Sequence, residues 1–457
     1  MIDKTIKEIA EMIHIHNEIT TFQNKMIHGV CIDTRKLQKG NLFIPFKGSN
    51  VDGHQYVEEA IKQGAAAALW QKDVPHPPTH LPILIVDNTL TALQQLARSY
   101  RSELPCEVIG ITGSNGKTTT KDMTASVLEE HFKVQKTEGN LNNHIGLPLT
   151  ILSIKKETEV AIVEMGMSAM KEISLLTNIA KPDIAMITNI GEAHLLDLGS
   201  RGAIATAKLE IVEGLKENGT LIYHGDEPLL TEKVKQLTSV QSITFGETAA
   251  NDVYPTKIKQ TSNGSSFTIN IMPEEQFEIP ILGRHNVLNA LTAIIVATQL
   301  NTPLEAIKAG LQSFQLSDMR MEWVKGKKDV NILNDAYNAS PTAMRAVIEL
   351  VEDLDHPSAK IVVLGDMLEL GENEKEFHQQ IGRELNPNKI KYVFTYGHLS
   401  QALAEGAKEH FPSERIFSFV DKKELIHTLK EIIQGNEIIL VKASRGMKME
   451  EVVEALS

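Results

Sequence analysis

A chain of 457 residues is too long for one hydrophobic core and points to about three domains. Its 46 Lys plus Arg against 59 Asp plus Glu make it acidic, and with no basic stripe visible nucleic acid is not an expected partner. Cys31 and Cys106 lie far apart without a C-x-x-C pair, which argues against a disulfide framework or a zinc site and suits a reducing cytoplasm.

In chain order, residues 1–103 read as a first block. Ile2, Ile6, Ile9 and Ile13 recur at helical spacing among Lys and Glu, so the opening segment reads as an amphipathic helix rather than a signal peptide or a membrane span. No apolar run along the chain is long enough to cross a bilayer. Gly40 to Phe46 reads as a turn into a strand, Tyr56 to Leu69 as a helix ending near Gly64 and followed by a strand, and Asp73 to Pro82 as a Pro-rich loop. Nothing in this block is catalytic on its face.

The second block, 104–314, opens with Gly110-Ile111-Thr112-Gly113-Ser114-Asn115-Gly116-Lys117-Thr118-Thr119-Thr120. A short apolar run, Val108 to Ile111, precedes it, and Met123, Val127, Leu128 and Phe132 follow at helical spacing, so it lies between a strand and a helix, where a phosphate loop belongs. Glycines let successive N–H groups point at oxygens, and the helix N-terminus behind them adds positive partial charge. Lys117 is placed to reach terminal phosphates and Thr118 to hold Mg2+. The cradle is the short G-x-x-G-K-T form. A bare G-K-T arises by chance in roughly one chain in five of this length, so the flanking strand and helix carry the inference. Two further buried strands are expected, Val160 to Val163 and Ile184 to Ile187. Glu164, Thr188, Asn189, Glu192 and His194 follow their ends, where the site of an open parallel sheet lies. Glu164 beside Thr118 suits Mg2+, which takes one or two carboxylates with phosphate oxygens and water, although a solvated strand end is the plain alternative. A loop His such as His194 and a helical Lys such as Lys208, in the helical stretch 203–212, read by themselves as surface residues. A Lys of depressed pKa can react with carbon dioxide to give an anionic carbamate.

The third block, 315–457, alternates apolar strands (Ile361 to Leu364, Tyr392 to Thr395, Ile438 to Val441) with helical stretches, a doubly wound pattern without G-x-G-x-x-G. The chain shows no internal repeat and no low-complexity tract.

Taken in order and spacing, Gly113 to Thr119, Gly139 to Asn143 with Gly146 and Pro148, Glu164 to Gly166, Thr188-Asn189 with His194, Ala207 to Glu210, and Gly283 to Asn286 with Asn289 resemble the Mur ligase family, ATP-dependent amide-forming enzymes of peptidoglycan precursor synthesis. The resemblance extends over essentially the whole chain through Arg320, Asp335 to Pro341, Gly365 to Glu372 and Lys442 to Arg445. It implies an α/β protein of three domains. Residues 1–103 would bind the UDP-sugar, 104–314 would form a central P-loop ATPase domain with a parallel sheet, and 315–457 a C-terminal Rossmann-like domain receiving the incoming dipeptide.

By the same resemblance Gly113, Ser114, Asn115, Gly116, Lys117, Thr118 and Thr119 hold ATP, Asn289 contacts adenine, and Arg320 and Asp335 reach the phosphates and ribose. Mg2+ would be held by Thr118, Glu164, His194 and Lys208 as a carbamate. Lys117, Lys208, His194 and Glu164 form the implied catalytic set. Substrate contacts are implied at Thr34, Arg35, Lys47, Gly48, Asp52, Gly53 and His54, and at Asn142, Asn143, Asn338, Ser340 and Asp366. The third-block motifs are similar to those of the branch acting on UDP-N-acetylmuramoyl-tripeptide and D-alanyl-D-alanine, which become the expected small-molecule substrates of a cytoplasmic monomer. Departures occur where Met170-Lys171-Glu172 replaces the usual Gly-Glu, Ala336 and Ser340 replace Asp and Asn, and Ala443 replaces Gly. None removes a ligand, but they bear on substrate contacts. One rival is the family enzyme adding the third peptide residue, for which Asp-Asn-Pro-Arg would be expected, a string absent here. Folate polyglutamylation would not call for the first block. A P-loop switch whose hydrolysis drives motion is the rival of a different class.

Overall fold

The computed structural model describes residues 1–48, 51–261, 264–354 and 356–457. Three parallel sheets, one for each stretch of strand-like sequence, set the architecture. In the first, Val30–Cys31, Leu42–Phe43, Ala67–Gln71 and Ile83–Val86 lie side by side in that order. The opening isoleucine repeat is only partly helical. Asp3–Thr5 pairs antiparallel with Met26–His28, and the helix spans Ile6–Met12. The reason is local: Thr5 and Glu8 close a capping box, each side chain accepting the other residue's N–H, which fixes the helix start after Thr5. Ile2, Ile6, Ile9 and Ile13 are nonetheless all buried, so the repeat reports burial correctly and helix length incorrectly.

The second sheet runs in the order Gln241–Phe245, Thr220–His224, Ile184–Ile187, Glu107–Thr112, Val160–Glu164, Val134–Lys136, all parallel. Both faces are covered, which is why its central strands are continuously apolar rather than alternating. On one face Ile109, Ile111, Ile162 and Met186 pack with Met123, Val127 and Leu128 of the helix Lys117–Glu129 and with Val287, Leu291 and Ile294 of the helix Arg284–Gln299. On the other, Val108, Val163 and Ala185 join Leu147, Ile173 and Leu176 in a core continuous with Ile2, Ile6 and Tyr100 of the first block. A three-stranded antiparallel sheet, Pro255–Thr261, Gly264–Ile269 and Met272–Ile279, is an element the sequence reading lacked. Only one side of it is apolar, with Phe267, Ile269, Phe277 and Ile279 buried, while Lys257, Lys259, Glu274 and Glu278 are exposed.

The third sheet has the order Glu322–Lys325, Asn331–Asn334, Ile438–Lys442, Lys360–Gly365, Tyr392–Tyr396, Ile416–Phe419. It is parallel except for its first, antiparallel edge strand. Helices lie on both faces, as the apolar sets around Val362 and Leu364 and around Ile361 and Val363 record. The carboxyl ends of the second sheet's strands face the start of the helix Pro341–Asp353 in the third block, and a cleft lies between them.

Candidate functional site

The strand Glu107–Thr112 ends in a loop that only glycine permits at two points. Gly113 has φ +152° and a Cβ there would lie 1.8 Å from Thr188 Oγ1, while Gly116 has φ +79° and its Cβ would lie 2.9 Å from Asn289 Oδ1. The loop is tied to the neighbouring strand end. The N–H of Ser114 donates to Asn189 O at 3.1 Å and that of Asn115 to Asn189 Oδ1 at 2.9 Å, while Thr188 Oγ1 donates to Asn115 O at 2.6 Å. Lys117 Nζ curls back to donate to Gly113 O at 2.8 Å. Burial pulls its pKa below the ordinary lysine value, with Glu164 opposing and Arg320 adding to the effect.

At the next strand end Glu164 is buried and uses both oxygens. Oε2 accepts from Thr118 Oγ1 at 2.9 Å and Oε1 from Asn142 Nδ2 at 2.8 Å. His194, in the left-handed region at φ +64°, sets Nδ1 2.9 Å from Glu369 Oε2 of the third block, without the alignment of a hydrogen bond. Burial lowers its pKa, Glu369 raises it, and Lys117 and Lys208 lower it. Lys208, in the helix Arg201–Leu209, is 2% exposed. Burial, reinforced by the charge of Lys117, holds its amine well below the usual lysine range. Among the described residues no group of three or more His, Cys, Asp or Glu side chains is arranged to hold a metal.

A cleft of about 690 Å³ gathers these groups. Of the residues expected from the sequence, Ser114, Asn115, Gly116, Lys117, Thr118, Thr119, Asn142, Asn143, Glu164, His194, Lys208 and Asn289 line it from the second block, and Arg320, Asp335 and Asn338 from the third. Asn289 is itself engaged, accepting from Thr120 Oγ1 at 3.2 Å and donating to Asn286 Oδ1 at 3.2 Å. The Arg320 guanidinium lies 4.0 Å from the centre of the Tyr337 ring. Asp335 pairs with Lys442 at 2.5 Å and accepts the Met321 N–H at 3.2 Å. Tyr337, Lys442, His285 and His224 also line the cleft and were given no role from the sequence. Tyr337 and Lys442 stood in the quoted motifs, and His224 ends an apolar strand as Glu164 does, a signal that could have found it.

Other expected residues lie elsewhere. Ser340 is not on the lining but joins the two blocks, its Oγ donating to Asn115 Oδ1 at 3.3 Å. Asp366 turns into the protein, where Oδ1 accepts the Ser400 N–H and hydroxyl, each at 2.7 Å. Thr34, Arg35, Lys47, Gly48, Asp52, Gly53 and His54 are not part of the cleft lining. Arg35 is exposed and forms a two-pronged pair with Asp33, through Nε at 2.9 Å and Nη2 at 2.7 Å. His54 is buried, bonded to Asp52 at 2.6 Å and accepting the Gln71 N–H at 3.1 Å, so its ring is a structural bolt of the first sheet.

Three family models match the chain: "Mur ligase family, catalytic domain" over residues 26–101, "Mur ligase middle domain" over 111–297, and "Mur ligase, glutamate ligase domain" over 319–445. The UDP-N-acetylmuramoyl-tripeptide–D-alanyl-D-alanine ligase of Bacillus subtilis (strain 168) is 50% identical over 456 residues, covering 100% of this chain and 99% of the relative. The ligase of the same name from Escherichia coli (strain K12) is 35% identical, with 100% and 99% covered. Among solved structures, MurF from Acinetobacter baumannii superposes with a TM-score of 0.91 at 30% identity over 100% of this chain and 99% of that one. MurF ligase from Thermotoga maritima in complex with ADP gives 0.82 at 28% identity over 94% and 97%.

Proposed function

The chain belongs to the Mur ligase family, and from that premise we propose that it joins D-alanyl-D-alanine to UDP-N-acetylmuramoyl-tripeptide with ATP, releasing ADP and phosphate. The observation that carries the reading is the convergence of Lys117, Thr118 and Glu164 with Arg320 and Asp335 from the opposite block on one cleft, together with whole-length similarity to ligases of that name.

A carboxylate is a poor acyl donor. Its oxygen attacks the terminal phosphate of ATP, ADP departs, and the acyl phosphate so formed is opened by the dipeptide amine with loss of a proton and of phosphate. Phosphoryl transfer of this kind depends on positioning and charge neutralisation. Lys117 and the N–H groups at the start of the helix Lys117–Glu129, rather than those of Ser114 and Asn115 that Asn189 already takes, supply the positive end. Lys117 leaves its carbonyl contact at Gly113 to meet the incoming charge. Arg320, held over Tyr337, and Asp335, held by Lys442, would close over the nucleotide, and Asn289 behind Gly116 fixes the loop's rear wall.

Thr118 Oγ1 and a Glu164 oxygen lie 2.9 Å apart beside the loop, hard oxygen donors of the kind Mg2+ takes alongside phosphate oxygens, so these residues fit the ion. When bound it would neutralise phosphate charge. His194 borders the same space. Lys208, its neutral amine favoured by burial, would add to the carbon of carbon dioxide with loss of a proton and become an anion with two oxygens. Water hydrolyses acyl phosphates, which gives the meeting of the second and third blocks over the cleft a chemical purpose. No helix among the described residues is long and apolar enough to cross a membrane, and we place the enzyme in the cytoplasm as a monomer. The blocks 1–103, 104–314 and 315–457 would serve the UDP-sugar, ATP and the dipeptide in turn.

A phosphate-release assay tests the reading. Phosphate should appear with ATP only when both UDP-tripeptide and D-alanyl-D-alanine are present. Release with neither would favour a hydrolytic switch.

A further inference from the structure

Where the second and third blocks meet, one buried carboxylate has no part in the chemistry above. Glu192 lies between the strand Ile184–Ile187 and His194 and is 9% exposed. Its Oε2 accepts the Thr342 N–H at 3.2 Å and the Thr342 hydroxyl at 2.8 Å. Thr342 stands in the first turn of the helix Pro341–Asp353. Pro341, at the first position of that helix, has no N–H to offer, and Ser340 caps the Ala343 N–H at 3.4 Å. The Thr342 N–H is therefore the helix donor left for a partner outside the helix, and a carboxylate from another block takes it. An anion is stabilised at a helix N-terminus, and hydrogen bonds to an ionised acceptor are about twice as strong as neutral ones. Ser340 adds a second tie through the same helix start, to Asn115 of the phosphate loop at 3.3 Å.

We propose that Glu192 is a positioning residue: by gripping the start of the helix Pro341–Asp353 it locks the third block onto the phosphate-loop block in the geometry that holds Arg320, Asp335 and Tyr337 over the cleft. Glu192 touches no reacting atom and acts through Thr342. Its loss is felt in turnover, because the closed arrangement is what excludes water and completes the site, while the first block keeps its hold on the UDP end. The turnover readout rests on the ligase reading; the closure readout does not.

The test compares wild type with Glu192→Ala, Glu192→Gln and Thr342→Val, using steady-state kinetics with ATP, UDP-tripeptide and D-alanyl-D-alanine and small-angle scattering with saturating Mg-ADP. Glu192→Ala should lower kcat by about 10- to 100-fold, the scale of losing hydrogen bonds to a charged group, with the KM for UDP-tripeptide within about twofold of wild type. Its radius of gyration with nucleotide should exceed that of wild type. Glu192→Gln, which keeps a carbonyl acceptor, should recover most of both. Thr342→Val, which loses only the hydroxyl bond, should show a smaller fall of about fivefold and keeps the test alive should Glu192→Ala fail to fold. Wild-type kcat and wild-type compaction in Glu192→Ala would overturn the proposal, as would a loss confined to KM for UDP-tripeptide, or a lowered melting temperature with unchanged compaction. A wild type that makes no product, yet compacts with nucleotide as Glu192→Ala does not, would sink the ligase reading and leave the latch standing.

Discussion

Two lysines share one cleft, Lys208 buried and Lys117 half-buried, and are held there for opposite reasons. Lys117 has somewhere to put its charge: two loop carbonyls accept from its ammonium, and phosphate oxygens would take their place in turnover. Lys117→Ala should therefore cost at least ~100-fold in turnover, the scale of removing one preorganised electrostatic contact, as initial-rate assays of the purified variant would read. The Lys208 side chain shares no hydrogen bond or ion pair among the described residues, and burial drives its pKa well below 10.5. Between that lowered value and 10.5 the unfolded chain binds more protons than the folded one, so this residue's contribution to stability rises with pH across the window and is least favourable on its acid side. Lys208→Met keeps the length of the side chain and removes the buried amine. In bicarbonate-free buffer at neutral pH it should raise the thermal midpoint while abolishing turnover, as scanning calorimetry and the phosphate assay would show together. In Lys208→Ala, added bicarbonate or short carboxylates should return part of the lost activity by replacing the carbamate oxygens, whereas the same additions should do nothing for Lys117→Ala.

At the scale of elements, the phosphate loop owes its shape to a neighbour strand rather than to its own sequence alone. Asn189 receives two loop N–H groups, one on its carbonyl and one on its side chain. Asn189→Ala leaves the Asn115 N–H without its acceptor, and the apparent constant for ATP should rise by about tenfold, with the fold and far-ultraviolet circular dichroism unchanged. This tie could not be read from the chain, because nothing in Thr188-Asn189 states which backbone groups it will meet. The strands themselves could. Val160 to Val163 and Ile184–Ile187 are apolar throughout because both faces of their sheet are covered, and polar groups just beyond such strands meet at the carboxyl edge, which is why Glu164 and His194 could be expected beside the phosphate loop, where both line the cleft. The antiparallel sheet from Pro255 to Ile279 escaped notice because its exposed face carries Lys, Ser and Glu and its buried face only scattered phenylalanines and isoleucines. The opening helix was overextended because Ile2 is buried ahead of the capping box that starts the helix. Glu192 stood in view at a strand end, but its partner Thr342 is 150 residues away, and only the meeting of two blocks reveals it.

For the whole molecule, the distribution of side chains divides the proposed work among three sheets. The cleft is shared by the second and third blocks, while Arg35, Lys47 and Asp52 sit on the first, away from that lining. A long UDP-peptide substrate would span this separation, its sugar end on the first sheet and its terminal carboxylate at the phosphate loop. Arg35 is the sharper probe of that division. Its guanidinium is exposed and is aligned by Asp33, whose carboxyl it holds down at about 2, leaving a planar fork presented to solvent that suits phosphate or carbonyl oxygens and that alanine cannot replace. The opposing view is that Arg35 and Asp33 are an ordinary surface pair, which would be silent in kinetics. Asn338 probes the other end, because it lines the cleft from the third block and its carbonyl anchors Lys442 at 3.0 Å, a contact that changing its side chain to alanine leaves in place. Arg35→Ala should raise the apparent constant for UDP-tripeptide and leave that for D-alanyl-D-alanine almost unchanged. Asn338→Ala should do the reverse. Titrating each substrate against both variants decides between the views: equal shifts for both substrates in either variant would refute the division of labour, and no shift at all in Arg35→Ala would return Arg35 to the surface pair.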